Sequence, residues 1–277
     1  VCGGQKSEIG MLLVIDIGNT NIKLGVYDGD VLVVSWRLSV KVTRTADEFG
    51  VCIKNLFELN RIRTEDVDGV IMSSVQPALN YTVSHACKYY VGKEPLTVGP
   101  GTRTGLNIKY RNPQEVGADR IVNSVAAYKL YGGPIIVVDF GTATTFNVIT
   151  DKGEFLGGVI APGIKSGLDT LIRNTAKLPS VELIKPASVI GNTTAANMQS
   201  GLVHGFVGLV KHIVAQIKRE AGIEHAKVLA TGGLSELIID ADEDDTIDIV
   251  DRYLTLKGLK LLYECNAQTG CDGGTKR

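Results

Sequence analysis

Two kinds of apolar pattern alternate along the chain. Short, nearly uninterrupted runs rich in β-branched residues, "LLVID" from Leu12, "GVIMSS" from Gly69, "IIVVD" from Ile135 and "KVLA" from Lys227, predict strands buried on both faces. Between them, apolar residues recur at spacings of three and four in "ADEFGVCIKNLFELN" from Ala46 and "DRIVNSVAAYKLYG" from Asp119, which predict helices; Gly132 and Gly133 stop the second. The longest such segment runs from Ala195 to Ala221, apolar through its first two thirds and charged at its end, and reads as a buried or interface helix. "YLTLKGLKLLYE" predicts a final helix packing back on a sheet, and "IIDADEDDTID" an acidic loop.

The strand-like runs fall into a repeat. "LLVIDIGNTNIKLGVYDGDVLVVSWRL" from Leu12 and "IIVVDFGTATTFNVITDKGEFLGGVIA" from Ile135 share one plan: a buried strand ending in Asp-x-Gly, a polar turn, a second strand, a hairpin turn and a third strand. "GVIMSSVQPAL" and "KVLATGGLSEL" extend the parallel, each reading as a strand, a turn of small residues and a helix start. The two copies stand too far apart for a solenoid and suit a duplicated α/β domain. The expected division is residues 1–10 as a leader or appended remnant, 11–125 and 126–265 as the two halves, and 266–277 as a disordered tail.

Composition narrows the function. With 29 Lys plus Arg against 30 Asp plus Glu, the net charge of -1 offers no global attraction to nucleic acid or to an anionic membrane. The five cysteines are scattered, without a Cys-x-x-Cys pair or clustering with the four histidines, so neither a zinc site nor a disulfide framework is indicated and a reducing cytoplasm fits. No apolar run is expected to reach the ~20 residues of a membrane helix.

The two Asp-x-Gly turns carry the chemistry. Backbone N–H groups in a tight turn, short hydroxyl and amide side chains, and a carboxylate that orders a divalent cation are the groups that hold phosphate. In the first turn Gly18 permits close approach, Asn19, Thr20 and Asn21 offer amides and a hydroxyl, Lys23 can reach inward, and Asp16 is the carboxylate. In the second, Gly141, Thr142, Thr144 and Thr145 stand beside Asp139. Either segment alone reads equally as an exposed hairpin turn; the duplication favours a binding role.

Paired "DIGNT" and "DFGTATT" strands, followed by "VLATGG" before a helix, resemble the phosphate-1, phosphate-2 and adenosine motifs of the actin, sugar-kinase and Hsp70 superfamily. Within it, "GPGTRTGLNIKYRNPQEVGADRIVNSVAAY", "GGVIAPG" and "NTTAANMQSG" are similar to segments of the type III pantothenate kinases, over Met11 to about Cys265. The resemblance implies an α/β fold of two duplicated actin-like, ribonuclease H-like domains with an ATP cleft between them. It implies transfer of the ATP γ-phosphate to pantothenate, with Mg²⁺ and a monovalent cation, K⁺ or NH4⁺, in a cytoplasmic homodimer that binds neither nucleic acid nor membrane. A second reading, an ATP-binding transcriptional accessory protein of the same family, stays open.

Carried over position by position, the resemblance assigns the nucleotide to Asp16, Ile17, Gly18, Asn19, Thr20, Asn21, Ile22, Lys23 and Thr142, with Gly232 and Gly233 against adenosine. Pantothenate falls to Tyr110, Gly117, Ala118, Asp119, Arg120 and Thr194, with Asp119 as catalytic base, and the monovalent cation to Asp139. The residues themselves permit other readings. Asp119 and Thr194 stand where helix N-caps are expected, Arg120 suits a structural salt bridge, and Tyr110 suits an alternating edge strand. His204 and His212, inside the long apolar helix, read as core or interface histidines.

Overall fold

The computed structural model describes residues 10–267. The chain forms two compact units: one takes the N-terminal segment through Gly105, Gln114–Ala126 and the chain from Thr255 onward, the other Leu106–Pro113 and Ala127–Leu254.

The first unit opens with β1 (Met11–Ile17), β2 (Asn21–Asp28) and β3 (Val31–Ser39), an antiparallel meander, followed by α1 (Ala46–Leu59), β4 (Val67–Ser74), α2 (Pro77–Ala86) and the two-residue β5 (Leu96–Thr97). The sheet runs β3-β2-β1-β4-β5, with β4 parallel to β1 and β5 parallel to β4. Thr45 starts α1 through a capping box: its hydroxyl accepts the Glu48 N–H at 3.2 Å while the Glu48 carboxylate accepts the Thr45 N–H at 2.7 Å. Pro77, at the first helical position of α2, needs no N–H there. The helix widens into a π-helical turn, Cys87–Val91, closed by Gly92 at φ 75°.

The strand β1 is apolar without alternation because both its faces are covered. Leu13, Ile15 and Ile17 share a core with Phe49, Ile53 and Phe57 of α1 and Val83 of α2. The opposite face carries Leu12, Val14 and Asp16, all buried.

Between the units' segments come β6 (Asn107–Ile108) and α3 (Ala118–Tyr131), which ends at Gly132 with φ 76°, the left-handed stop expected there. The second unit then repeats the plan: β7 (Ile135–Phe140), β8 (Ala143–Ile149) and β9 (Glu154–Pro162) form the meander, followed by α4 (Ile164–Asn174), α5 (Thr194–Ala221), β10 (Lys227–Gly232), α6 (Ser235–Ala241) and β11 (Ile249–Val250). Its sheet runs β11-β10-β7-β8-β9, with β10 parallel to β7 and β11 parallel to β10, so the duplication read from the sequence is a duplication of topology. Two features depart from the repeat among the described residues: β6 is added beside β9, and two helices, α4 and α5, stand where the first unit has α1. The core joins Ile136, Val138, Phe140, Phe146 and Val148 of the sheet to Ile164 and Leu168 of α4 and to the α5 residues Met198, Leu202, Val203, Val207, Val210 and Val214.

Three sequence expectations are corrected. The helix α5 is 28 residues long, and its most apolar 18-residue window has a mean hydropathy of 1.2, so this segment does meet the length and apolarity of a membrane span. Only 33% of that window is buried within the protein. The acidic segment is not all loop: α6 extends through Ala241, and the loop that remains ends where β11 begins at Ile249. Lys211 on α5 holds the turn between them, 3.1 Å from Asp242 and 2.7 Å from Asp244. The final helix, α7 (Leu254–Ala267), enters the segment expected to be a tail; residues 268–277, like 1–9, lie outside the described residues.

Helix α7 returns to the first sheet, burying Leu256, Leu259 and Leu262. It packs so closely there that a β-carbon on Gly69 would stand 2.0 Å from the Tyr263 hydroxyl, which is why β4 carries a glycine at this point.

Candidate active site

Strand register builds the first site. Asp16 is paired with Lys23 of β2 on one side and with Ser73 of β4 on the other. Directly opposed residues on a sheet bring their side chains together, and both neighbours engage the carboxylate: Ser73 Oγ donates to Asp16 Oδ1 at 2.8 Å, and Lys23 Nζ lies 3.3 Å from Oδ2. Asp16 is 4% exposed, so burial of its charge is compensated by a hydroxyl and an ammonium. The turn that follows is closed by the Gly18 N–H donating to Asn21 O at 3.0 Å, with Asn19 and Asn21 exposed at its rim. Ile17 and Ile22, named with this loop, are core residues, so any contact they make with a ligand runs through the backbone.

The same unit holds the Gly117–Arg120 segment. Gly117 O accepts the N–H groups of Arg120 and Ile121, which makes Gly117 the residue at which α3 begins and places Asp119 inside its first turn. The reading of Asp119 as the N-cap is therefore corrected. Its Oδ1 accepts the Arg120 N–H at 2.8 Å, an orientation favoured by the positive end of the helix dipole. Arg120 is buried at 7% exposure.

In the second unit, Asp139 occupies the place that Asp16 holds in the first, but its cross-strand neighbours are Thr145 of β8 and Thr231 of β10, neither of them cationic. Asp139 is half-buried, less enclosed than the end of a buried strand led one to expect. Gly232 closes over it: at φ 97°, with a β-carbon there falling 2.7 Å from Asp139 Oδ1 and 2.6 Å from Phe140 O, no side chain is tolerated. Gly233 follows at the start of the turn into α6, where Ser235 Oγ donates to Gly232 O. Thr142 lies in the turn between β7 and β8, its carbonyl accepting from Ser166 Oγ in the first turn of α4 at 2.8 Å.

Tyr110 and Thr194 also belong to the second unit. Tyr110 follows β6 and lies against Phe155, ring centroids 6.3 Å apart, and against Gly157. The N-cap of α5 is Thr193, whose hydroxyl accepts the Ala196 N–H at 3.1 Å, so Thr194 is not the cap. Thr194 is exposed and lines a pocket of about 410 Å³ with Leu171, Leu178, Asn197, Met198, Gly201 and Leu202. Sequence reasoning missed this apolar pocket, and it missed the role of Ser73, whose only signal was its position in the strand that pairs with β1.

Two sheets of order 3-2-1-4-5, each presenting an Asp at the end of its first strand, define an actin-like protein of the kinase and ATPase superfamily. The chain belongs to the type III pantothenate kinase family, whose model matches residues 12–216. Among solved structures it is similar to a conserved putative Baf family transcriptional activator from Campylobacter jejuni: 21% identity, TM-score 0.57, 92% of this chain and 99% of that one covered. MreB 5 of Spiroplasma citri bound to AMPPNP superposes with a TM-score of 0.57 at 10% identity, covering 97% and 100%. A putative 2-dehydro-3-deoxygalactonokinase from Sinorhizobium meliloti gives 0.55 at 13% identity, covering 96% and 98%. These likenesses define the fold.

Proposed function

We propose that the protein is a cytoplasmic pantothenate kinase that transfers the γ-phosphate of ATP to the primary hydroxyl of pantothenate, giving 4'-phosphopantothenate. The observation that carries this reading is the family match over residues 12–216, which spans both Asp-x-Gly turns and the Gly117–Arg120 segment. The donor set suits a magnesium nucleotide. Among the described residues no group of three His, Cys, Asp or Glu could hold a metal by itself, and Mg²⁺ bound with nucleotide uses one or two carboxylates, substrate phosphates and retained waters. Asp16 supplies the carboxylate, and Mg²⁺ when bound neutralises charge on the phosphates.

In this reading the turn Gly18–Asn21 and Lys23 bind and orient the phosphates, and Thr142, Gly232 and Gly233 serve the nucleotide. Tyr110, Gly117, Ala118, Arg120 and Thr194 hold pantothenate. The bond from the pantothenate oxygen to γ-phosphorus forms as the β–γ bridging P–O bond breaks, ADP leaves, and the hydroxyl proton passes to the Asp119 carboxylate. Positioning dominates such a transfer, so an ordinary carboxylate is a sufficient acceptor. Asp139, flanked by hydroxyls rather than a lysine, is the place for a monovalent cation, K⁺ or NH4⁺, to offset its charge. The exposed small residues Gly201, Gly205 and Gly208 on α5, with nothing within 4 Å of where a β-carbon would stand, suit close approach of a second copy, and the protein works as a homodimer.

The test is ADP release with and without pantothenate, with the product identified by mass spectrometry. A product 4'-phosphorylated on pantothenate supports the reading; ADP release independent of pantothenate, or none, defeats it. The likeness to the C. jejuni protein keeps a second reading in play, an ATP-binding transcriptional accessory protein, and tight nucleotide binding without turnover would favour it.

A further inference from the structure

The turn between β4 and α2 carries a role that neither the sequence pattern nor the family match assigns. We propose that Ser73 and Gln76 are positioning residues for the phosphate-binding loop, Ser73 for its carboxylate and Gln76 for its amide; the proposal rests on the reading that this loop binds a magnesium nucleotide.

Three contacts tie this segment to the loop, and a fourth shapes the turn itself. Ser73 is 0% exposed and donates to Asp16 Oδ1, fixing the rotation of the carboxylate that Lys23 approaches from the other oxygen. The Val75 N–H donates to Ile17 O at 3.0 Å, prolonging the β1–β4 pairing past the end of β4. Ser74 Oγ accepts the Gln76 N–H at 3.1 Å, which shapes the turn and aims the Gln76 side chain. Gln76 Nε2 then donates to Asn19 Oδ1 at 2.8 Å. An amide whose oxygen is already occupied offers its N–H groups elsewhere, and donors are what a phosphate oxygen needs. Val75 Cγ1 also lies 3.8 Å from where a β-carbon on Gly117 would stand, so one turn abuts both the phosphate loop and the segment that carries Asp119.

A hydroxyl bonded to a carboxylate and an amide bonded to an amide act on different parts of a ligand, and this separates their effects. Ser73 bears on the carboxylate, so Ser73→Ala lowers affinity for ADP in the presence of Mg²⁺ about tenfold and leaves affinity for Mg²⁺-free ADP within about twofold. Gln76→Glu replaces the donor with an acceptor; Asn19 turns its NH2 toward it, and ADP binding falls about tenfold or more with or without Mg²⁺.

Isothermal titration of the full chain with ADP, in Mg²⁺ and in EDTA, reads both. Wild-type protein that binds no ADP defeats the nucleotide reading itself. Wild-type binding with Ser73→Ala unchanged, or weakened equally with and without Mg²⁺, overturns the role of Ser73 and leaves that reading standing. Gln76→Glu bound as tightly as wild type overturns the role of Gln76. If Ser73→Ala fails to fold by circular dichroism, the hydroxyl is structural and its positioning role is rejected, and the half-exposed Gln76 then decides whether the turn positions the loop.

Discussion

Replacing Asp119 with Asn separates catalysis from fold. The carboxylate sits in the first turn of α3, with Oδ1 accepting the Arg120 N–H at 2.8 Å. Asn keeps an oxygen for that bond at nearly the same volume, and losing the negative charge beside the helix N-terminus costs about 0.3–1 kcal/mol. What Asn cannot do is accept the hydroxyl proton, and general-base catalysis contributes about 10²–10⁴ in rate, or ~3–5 kcal/mol of barrier. The two effects therefore differ by several fold in free energy. Asp119→Asn should show a kcat reduced at least about a hundredfold, a KM for ATP little changed, and urea unfolding within about 1 kcal/mol of wild type. Turnover near wild type together with a clear loss of stability would refute the assignment and leave Asp119 a helix-start residue. Asp119→Ala, which removes the backbone contact as well, should lose the same rate and more stability.

Other outcomes follow from particular sites. Gly205→Arg places a long charged side chain on the exposed stripe of α5; light scattering should find wild-type dimers and variant monomers, and a wild-type monomer would reject the assembly. Activity should require K⁺ or NH4⁺ and respond poorly to Na⁺, and Asp139→Asn should abolish the distinction; equal turnover in the three ions, unaltered in the variant, would reject a cation there. Burial pushes the Cys87 thiol up to about 12, and thiolate is the reactive form, so iodoacetamide at pH 8 should leave Cys87 unmodified in the native protein and alkylate it in urea, as peptide mass mapping will read.

Much of the architecture was legible because the two meanders declare themselves locally. An unbroken apolar run ending in Asp-x-Gly, twice, is a short-range signal, and so is the return strand after "YDGD" or "TDKGE", where Gly29 and Gly153 take positive φ. Helices with a strong three-and-four pattern, α1 and the body of α5, were equally visible. The helix α4 went unread although its apolar residues Ile164, Leu168, Leu171 and Ile172 recur at three and four, while β5 and β6, two residues each, carry no period at all. The Asp16 and Asn19 loop was readable from its own residues, but its supports were not: Ser73 and Gln76 each lie 57 positions from their partners and depend on the parallel register of β1 and β4. Asp119 was identified as a candidate and misplaced by two residues on its helix, since a capping residue and a first-turn acid look alike until the backbone shows which carbonyl accepts first.

The way α7 docks orders events in time. Leu256, Leu259 and Leu262 complete a unit whose sheet was made some two hundred residues earlier, and long-range closure of this kind is slow and late. A chain growing from its N-terminus therefore leaves its first unit without α7 throughout synthesis of the second unit, whose own sheet, apart from the edge strand β6, is drawn from one continuous stretch of sequence. The half that is translated first is the half that matures last, and a nonsense codon just before α7 would ruin the beginning of the protein while sparing its middle.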